Sequence, residues 1–233
     1  LLRSYHPEEE YVVWMMVLQA LAVLDGMLEE RDGYPEFRAF VRELLVPIGE
    51  RLELEDASNE SHTRKLLRSA IFDALGAYGH PRTIARASRA LALWHANGEA
   101  IDPNLRAPIY ATAVRGGGPL SLAILLRHYE HETFQEERVR ILRAIGFTPD
   151  WEYAEWVLAF VFDPARVRSG DTFFTLGTLG SHAVGRECAW LYLTKHWDMI
   201  SERYSGGGLK LLARVVECVI GGFRSVEQAE SIE

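Results

Sequence analysis

The stretch that decides the fold spans residues 167–204 and reads VRSGDTFFTLGTLGSHAVGRECAWLYLTKHWDMISERY. Small residues around Ser181 interrupt it, and a long helix is predicted to begin near Ala183. Beyond that point, large apolar residues recur at steps of three and four, which places them on one face of a helix. These residues are Trp190, Leu193, Trp197, Ile200 and Tyr204. Because a tryptophan can bury roughly 150–250 Å², we expect Trp190 and Trp197 to lie in the core.

Helical patterns of the same kind cover the rest of the chain, and no segment indicates a strand. Prolines at first helical positions, as at Pro81 and Pro119, and glycine runs at 116–118 and 206–208 mark helix boundaries. Pro47 is expected to kink or divide its helix. Helices are predicted over residues 7–30, 35–54, 81–96, 119–129, 134–146, 150–162 and 209–220, with others that end at 76–79 and 116–118.

The predicted helices come in pairs. An Ala-Leu-Gly helix end at residues 74–76 is echoed by Ala-Ile-Gly at 144–146, two pairs further along the chain. This spacing corresponds to about 35 residues per pair, which is typical of helical-hairpin repeats. The predicted fold class is therefore all-α, an α-superhelix of paired antiparallel helices that is HEAT- or armadillo-like.

The composition is that of a globular protein, and it disfavours a nucleic-acid partner. The chain has 233 residues, 48% of them hydrophobic, which is enough for a core in one domain or in two small ones. Its formal net charge of −8 disfavours nucleic-acid binding, which requires a basic excess. The two cysteines, Cys188 and Cys218, fall in separate predicted helices and are expected to be core thiols in a reducing compartment.

The ends of the chain and its hydropathy bear on location. No apolar run approaches the ~20 residues of a membrane-spanning helix, so no membrane partner is expected. The chain does not begin with Met, and a capping box from Ser225 to Gln228 opens a helix only a few residues before Glu233. We therefore expect residues 1–233 to be a single helical domain and a fragment that is cut at both ends.

A search for metal-binding motifs finds one near miss. Residues 131–135 read HETFQ, which begins like the zinc motif HExxH but places Gln135 where the second histidine ligand belongs. His128 and Glu132, four residues apart, form another pair without a third ligand. A solvated helix end is the favoured interpretation. Neither cysteine stands in a nucleophile motif, so no catalytic residue and no metal ligand are predicted in this chain.

Three arginines form a row on the predicted helix 81–96. Arg82, Arg86 and Arg89 stand at positions i, i+4 and i+7, which places them on one face. Such a row is suited to hold a peptide's C-terminal carboxylate or acidic side chains by charge-assisted hydrogen bonds. A solvated outer face is the simpler interpretation and the favoured one, so these residues are candidates for peptide contact only.

The 167–204 stretch carries a motif at Arg168, Asp171, Gly185, Arg186, Ala189, Trp190, Trp197 and Tyr204. This motif resembles a segment near the C-terminus of zinc aminopeptidases of the aminopeptidase-N type, which are gluzincin metalloproteases. The puromycin-sensitive aminopeptidases and their fungal relatives look most similar. The similarity extends upstream through DPNLRAPIY at 102–110 and through 138–146, and more weakly through 11–14. Two positions depart from it, because Gly170 stands for a usual Gln and His182 for a common Asn.

The resemblance implies a fold and a division of labour. It implies a C-terminal α-superhelix of paired helices that closes over a catalytic domain and walls a peptide chamber. The zinc, an HExxH motif, a downstream glutamate and a GxMEN-type motif would lie in the catalytic domain of the same polypeptide, and none of these motifs occurs in this chain. The implied partners are that catalytic domain and the peptide substrate, and the implied location is the cytoplasm.

The resemblance also assigns provisional roles. The chain itself would be non-catalytic, and it would enclose the peptide chamber and influence substrate selection. Its motif positions, Arg168, Asp171, Gly185, Arg186, Trp190 and Trp197, would serve structure or domain contact. Two further expectations come from position and not from the resemblance. Arg168 and Asp171 lie three residues apart near a helix start and are expected to form a local ion pair or cap. Arg186 lies in the first turn of its helix, which is unfavourable for the helix dipole, so it is expected to have a carboxylate partner. The alternative is a free-standing helical-repeat interaction module with no peptidase attached.

Overall fold

A computed structural model describes residue 5 and residues 7–54, 60–205 and 209–232. Thirteen α-helices and no strand occur in these ranges, so the all-α prediction is confirmed. The helices are α1 Tyr11–Leu28, α2 Tyr34–Leu54, α3 His62–Ala77, α4 Pro81–Asn97, α5 Arg106–Arg115, α6 Pro119–His131, α7 Gln135–Ile145, α8 Trp151–Val161, α9 Thr172–Leu179, α10 Ala183–Lys195, α11 Trp197–Ser205, α12 Leu209–Ile220 and α13 Val226–Glu230.

The helices form two compact units, Leu1–Gly116 and Gly117–Glu233. Within the first unit, α3 contacts α1 and α5 as well as its chain neighbours α2 and α4. Within the second unit, α7 contacts α9, α8 contacts α10, and α10 contacts α12. Packing on the second neighbour is the pattern that stacked helix pairs produce. The finer assignment to HEAT- or armadillo-like repeats stays a prediction.

Most helix boundaries follow local chemistry. Asp150 caps α8 by accepting the Tyr153 N–H (3.3 Å), and Ser225 and Gln228 form the predicted capping box of α13. Pro81 and Pro119 open α4 and α6 as expected. Gly116 follows α5, whereas the predicted terminator at 206–208 lies outside the described residues. Helix α2 continues across Pro47, so this proline does not divide the helix, and the predicted kink stays a prediction.

The long helix predicted over 183–204 is two helices. The backbone at His196 (φ −112°, ψ 25°) leaves the helical region between α10 and α11. A face that is continuous in the sequence pattern therefore does not continue across the break. Trp197 is 44% exposed, and Trp190 is half-buried with its ring 5.5 Å from that of Phe223. The expectation of a core position is therefore wrong for Trp197.

The other members of that face are buried and fasten α11 to its own unit. Leu193, Ile200 and Tyr204 are buried, and the Tyr204 hydroxyl donates to Thr172 Oγ1 (2.8 Å). Arg203 donates from Nη1 to the Val161 carbonyl (3.2 Å) and from Nη2 to the Val167 carbonyl (2.6 Å). These two bonds give partners to the carbonyl of Val161, at the end of α8, and to the carbonyl of Val167 in the loop that follows. The last carbonyls of a helix have no partner within the helix itself.

Helix α1 has a buried face and an exposed apolar face. Trp14, Val17 and Leu21 lie in a core cluster with residues of α2 and α3. The exposed apolar residues are Val12, Met15, Met16, Val23, Leu24 and Met27. Among the described residues, α1 is the one helix long and apolar enough to cross a membrane, judged by length and composition only. The sequence expectation that no run approaches this length is therefore wrong for α1.

The echoed helix ends at 74–76 and 144–146 occupy equivalent positions in the two units. A Cβ built on Gly76 would lie 2.8 Å from Thr112 Cβ on α5, the second neighbour of α3. A Cβ on Gly146, directly after α7, would overlap Thr178 Oγ1 and lie 2.7 Å from the Thr175 carbonyl oxygen on α9. In both units a glycine therefore lets a helix end approach its second neighbour more closely than any side chain permits.

We expect Gly146→Ala to destabilise the chain by about 1–3 kcal/mol, because the added methyl group must displace helix α9. Gly177→Ala is the matched control, since Gly177 lies within α9 and a Cβ there meets no atom within 4 Å. Alanine has the higher helix propensity, so the control is expected to be neutral or stabilising by up to ~1 kcal/mol. Urea unfolding measures the free energy of unfolding of both variants. Equal stability of the two variants would contradict the close approach of Gly146 to α9.

Candidate functional site

His182 joins the start of α10 to the end of α7. Its Nδ1 accepts the Gly185 N–H (3.2 Å), and its Nε2 lies 2.9 Å from the Gly146 carbonyl oxygen. This pairing requires a neutral ring with the proton on Nε2. An asparagine side chain offers the same pair of one acceptor and one donor. His182 stands where an asparagine is common in the family that the chain resembles. It therefore offers the same hydrogen-bonding capacity as that asparagine.

Arg186 is completely buried and lies among close backbone approaches. Its Nη1 donates to the Gly180 carbonyl at the end of α9 (3.4 Å). A Cβ on Gly222 would lie 2.9 Å from Arg186 Cδ, and one on Gly185 would lie 2.5 Å from the Leu179 carbonyl. The Arg186 side chain thus fills the junction of α9, α10 and the segment after α12. The carboxylate partner expected for it stays a prediction.

Arg168 and Asp171 lie at the start of α9. Asp171 does not cap this helix with its side chain; its Oδ2 accepts from Gln135 Nε2 (3.0 Å). The Asp171 N–H donates to the Arg168 carbonyl (2.9 Å), and the Arg168 side chain is exposed. The expected cap by Asp171 is therefore wrong, because its carboxylate is turned toward α7 instead.

The arginine row of α4 is exposed, as its spacing suggests. Arg82 and Arg86 line a cavity of about 310 Å³ in the first unit. There, Arg82 Nη1 lies 3.6 Å from Glu50 Oε1, and the Arg86 guanidinium lies 5.7 Å from the centre of the Phe72 ring. The residues that line the cavity do not include Arg89. A peptide-contact role for Arg82, Arg86 and Arg89 stays a prediction.

The cysteine and the glutamate considered as candidate reactive groups in the sequence have contacts that stabilise the fold. Burial raises the pKa of the Cys188 thiol to about 12, with Glu155 and Glu187 adding to the shift, so this thiol is protonated at neutral pH. Glu132 Oε1 accepts the N–H groups of Thr133 (2.8 Å) and Phe134 (2.7 Å), which closes the turn after α6. The described part of the chain contains no group of three or more His, Cys, Asp or Glu arranged to hold a metal ion.

A concave surface lies between α6, α8 and α10 in the second unit. It encloses about 1210 Å³, which exceeds the roughly 300–1,000 Å³ of drug-sized ligand pockets. We call this surface the aromatic groove. The residues that define it are Leu122, Trp151, Glu152, Glu155, Trp156, Leu191, Tyr192, Lys195 and His196.

The aromatic groove presents ring surfaces that a core normally buries. Trp156 is 53% exposed, Leu191 is 49% exposed, and Trp151 is also exposed. Tyr192 is fixed between Phe162, whose ring is stacked 5.7 Å away, and His196, whose ring centre is 4.3 Å away. Burial raises the pKa of Tyr192, so it lines the groove as a neutral phenol.

Charges of opposite sign line the aromatic groove. Glu152 and Glu155 project from α8, on the same wall as the two tryptophans. Lys195 and His196 belong to the end of α10 and the break after it. Glu155 and Glu187 both act on the Cys188 thiol, which places Glu187 near the acidic wall. The groove thus combines apolar rings with two carboxylates from α8 and one lysine from the end of α10.

No pattern in the sequence predicts this groove. It lies on three helices that are distant in sequence and meet only in the fold. One local signal was present on α8, where Ala154, Val157, Leu158 and Val161 make the buried face. Trp156 falls off that face by position, so its exposure was readable from helical spacing.

Comparisons with known proteins agree with the motif of the 167–204 stretch. The family model of the ERAP1-like C-terminal domain matches residues 1–233. Similar proteins include Aminopeptidase M1-A of Oryza sativa subsp. japonica, 29% identical over 100% of this chain and 27% of that protein. Aminopeptidase 2 of Candida albicans is 27% identical over 100% of this chain and 25% of its own length. Glutamyl aminopeptidase of Bitis rhinoceros is 24% identical over 100% of this chain and 24% of its own length.

The chain spans about a quarter of the length of the aminopeptidases it matches. The similarity covers both units, including the aromatic groove and the junction around Arg186. Since one family model accounts for every residue, this protein belongs to the ERAP1-like C-terminal domain family.

Proposed function

We propose that this chain is the non-catalytic C-terminal part of a zinc aminopeptidase that removes N-terminal residues from peptides. In that enzyme it encloses the peptide chamber and influences which peptides are cut. The aromatic groove carries this proposal, because it is large, apolar and lined by charges of both signs. Extended concave surfaces of stacked helices hold peptides and other domains in many proteins.

The proposed division of labour rests on the motif resemblance. Among the described residues, no group of three or more His, Cys, Asp or Glu is arranged to hold a metal ion. The zinc of the parent enzyme is proposed to lie in a catalytic domain of the same polypeptide. That catalytic domain and the peptide are the proposed partners. A puromycin-sensitive type of parent in the cytoplasm is the finer form of this proposal, and it rests on the motif resemblance.

The helical wall contributes to turnover by positioning the peptide. Closure of such a wall excludes water and holds a peptide in register with the reacting groups, which contributes to rate without new chemistry. Contacts between domains of one chain commonly allow relative motion. Opening then admits the peptide, and closure completes the chamber.

The test compares the parent enzyme with a version truncated before Leu1. We expect the truncated enzyme to keep its zinc, measured by metal analysis, and to lose most of its activity on peptides of about ten residues. Partial recovery is expected when residues 1–233 are added as a separate chain, because enclosure needs the surface and not a covalent link.

Full activity and an unchanged peptide-length preference in the truncated enzyme would contradict enclosure. The reading frame before Leu1 distinguishes the alternative of a free-standing interaction module. HExxH and GxMEN motifs upstream support the aminopeptidase, and a frame without them favours the module.

A further inference from the structure

We propose that the aromatic groove selects peptide segments that carry one basic side chain, arginine or lysine, next to an apolar residue. The cation would lie on the exposed rings of Trp151 and Trp156, beside the carboxylates of Glu152 and Glu155. This inference rests on the proposed function, since it names the class of peptide that the chamber wall takes.

The α8 wall has the chemistry of a cation site. An ammonium or guanidinium group is attracted to the face of a tryptophan ring, and more strongly once desolvated. Trp156 offers such a face at 53% exposure, with Glu155 directly before it in the chain and Glu152 four residues away on the same side of the helix. Arginine pairs with a carboxylate by two parallel hydrogen bonds. A ring and a carboxylate on one helix face therefore favour a basic side chain over a neutral one.

Lys195 limits the charge that the groove accepts. It lines the same groove as Glu152 and Glu155, so a second cation on the peptide would meet positive charge. The apolar surface of Leu122 and Leu191 lies in the same groove and suits an aliphatic or aromatic neighbour. The selected class is therefore one basic residue beside an apolar one, and not a polybasic segment.

The experiment uses a matched pair of fluorescein-labelled nine-residue peptides that differ at one central position. One carries arginine next to leucine, and the other carries citrulline, which has the same shape without the charge. Titration of the chain, followed by anisotropy, is expected to show about tenfold tighter binding of the arginine peptide, as a desolvated cation–π contact with a carboxylate predicts. A third peptide with three arginines is expected to gain nothing further.

Two variants and two controls locate the effect. Trp156→Leu and Glu155→Gln should each remove most of the preference for arginine over citrulline. Trp197→Leu and Glu202→Gln should leave it unchanged, because these exposed residues lie on α11, outside the groove. All four positions are exposed, so the variants are expected to fold, which a thermal melt checks.

Equal binding of the arginine and citrulline peptides would overturn the inference. If that equal binding still depends on Trp156, the groove remains a peptide site and only the basic preference fails. Binding of neither peptide to the folded chain would also overturn it. The enclosure proposal is judged separately, by the truncated parent enzyme.

A second inference comes from α1 and is independent of the groove. We infer that the exposed face of α1 is covered, in the whole polypeptide, by an amphipathic helix that precedes residue 1. The face carries six large apolar residues on one helix, more than isolated exposed side chains explain. In the described units, α3 packs on α1 and α5 packs on α3, so a preceding helix would continue the same second-neighbour packing.

Two other occupants fit less well. A membrane position would require Trp14, Val17 and Leu21 to leave the core cluster that they form with α2 and α3. A second copy of the chain would compete with a much longer polypeptide, since the matched aminopeptidases are about four times as long as this chain. The preceding part of the same polypeptide is present at high effective concentration.

The test introduces a charge at the centre of the face, with Met16→Glu and Met27→Glu. In the 233-residue chain, these exposed positions should change Tm by no more than a degree or two. In a polypeptide extended by about 60 residues of its natural upstream sequence, each should lower Tm by several degrees, because a charge would then be buried. Leu120→Glu, at an equally exposed apolar residue of α6, is the control and should be neutral in both.

Equal effects in the short and extended chains would overturn this inference. Dimerisation of the extended polypeptide that Met16→Glu abolishes, or its binding to neutral phosphatidylcholine vesicles through α1, would assign the face to another occupant and overturn it as well.

Discussion

The close approach of second-neighbour helices at glycine-terminated ends is the constraint on which the rest of the structure depends. Gly76 meets Thr112 in the first unit, and Gly146 meets Thr178 in the second, at separations that leave no room for a Cβ. His182 then bonds the Gly146 carbonyl and the first turn of α10. At these helix ends, the helix positions are therefore set by close approach at a glycine and by hydrogen bonds to the backbone.

This construction separates residues that hold the fold from residues that are free to bind. The motif positions Gly185 and Arg186 lie at the tight junction of α9 and α10, where close packing needs a glycine and a buried guanidinium. Trp151 and Trp156 are exposed beside that framework, on a helix whose other face is buried. Rigid support of an exposed aromatic surface favours binding, because the surface is already in place when a ligand arrives.

Sequence patterns predicted the local parts of this structure well. Helical periodicity and the capping box at Ser225 depend on near neighbours, and the structure confirms both. The echo of Gly76 by Gly146 was also readable from the sequence, and both glycines lie at tightly packed helix ends. The break at His196 was missed, because neither glycine nor proline marks it, and the exposed Trp197 followed from that error. The aromatic groove was missed because it exists only once α6, α8 and α10 are assembled.

The central claim is that this helical wall holds peptide during catalysis carried out elsewhere in the polypeptide. The most direct measurement is kcat/KM of the parent aminopeptidase and its Trp156→Leu variant on a ten-residue peptide and on a single aminoacyl reporter. A wall that holds peptide predicts roughly a tenfold loss on the peptide, of the size expected for one lost aromatic contact, and no change on the reporter. An equal loss on both substrates, or unchanged turnover of the peptide, would contradict the account.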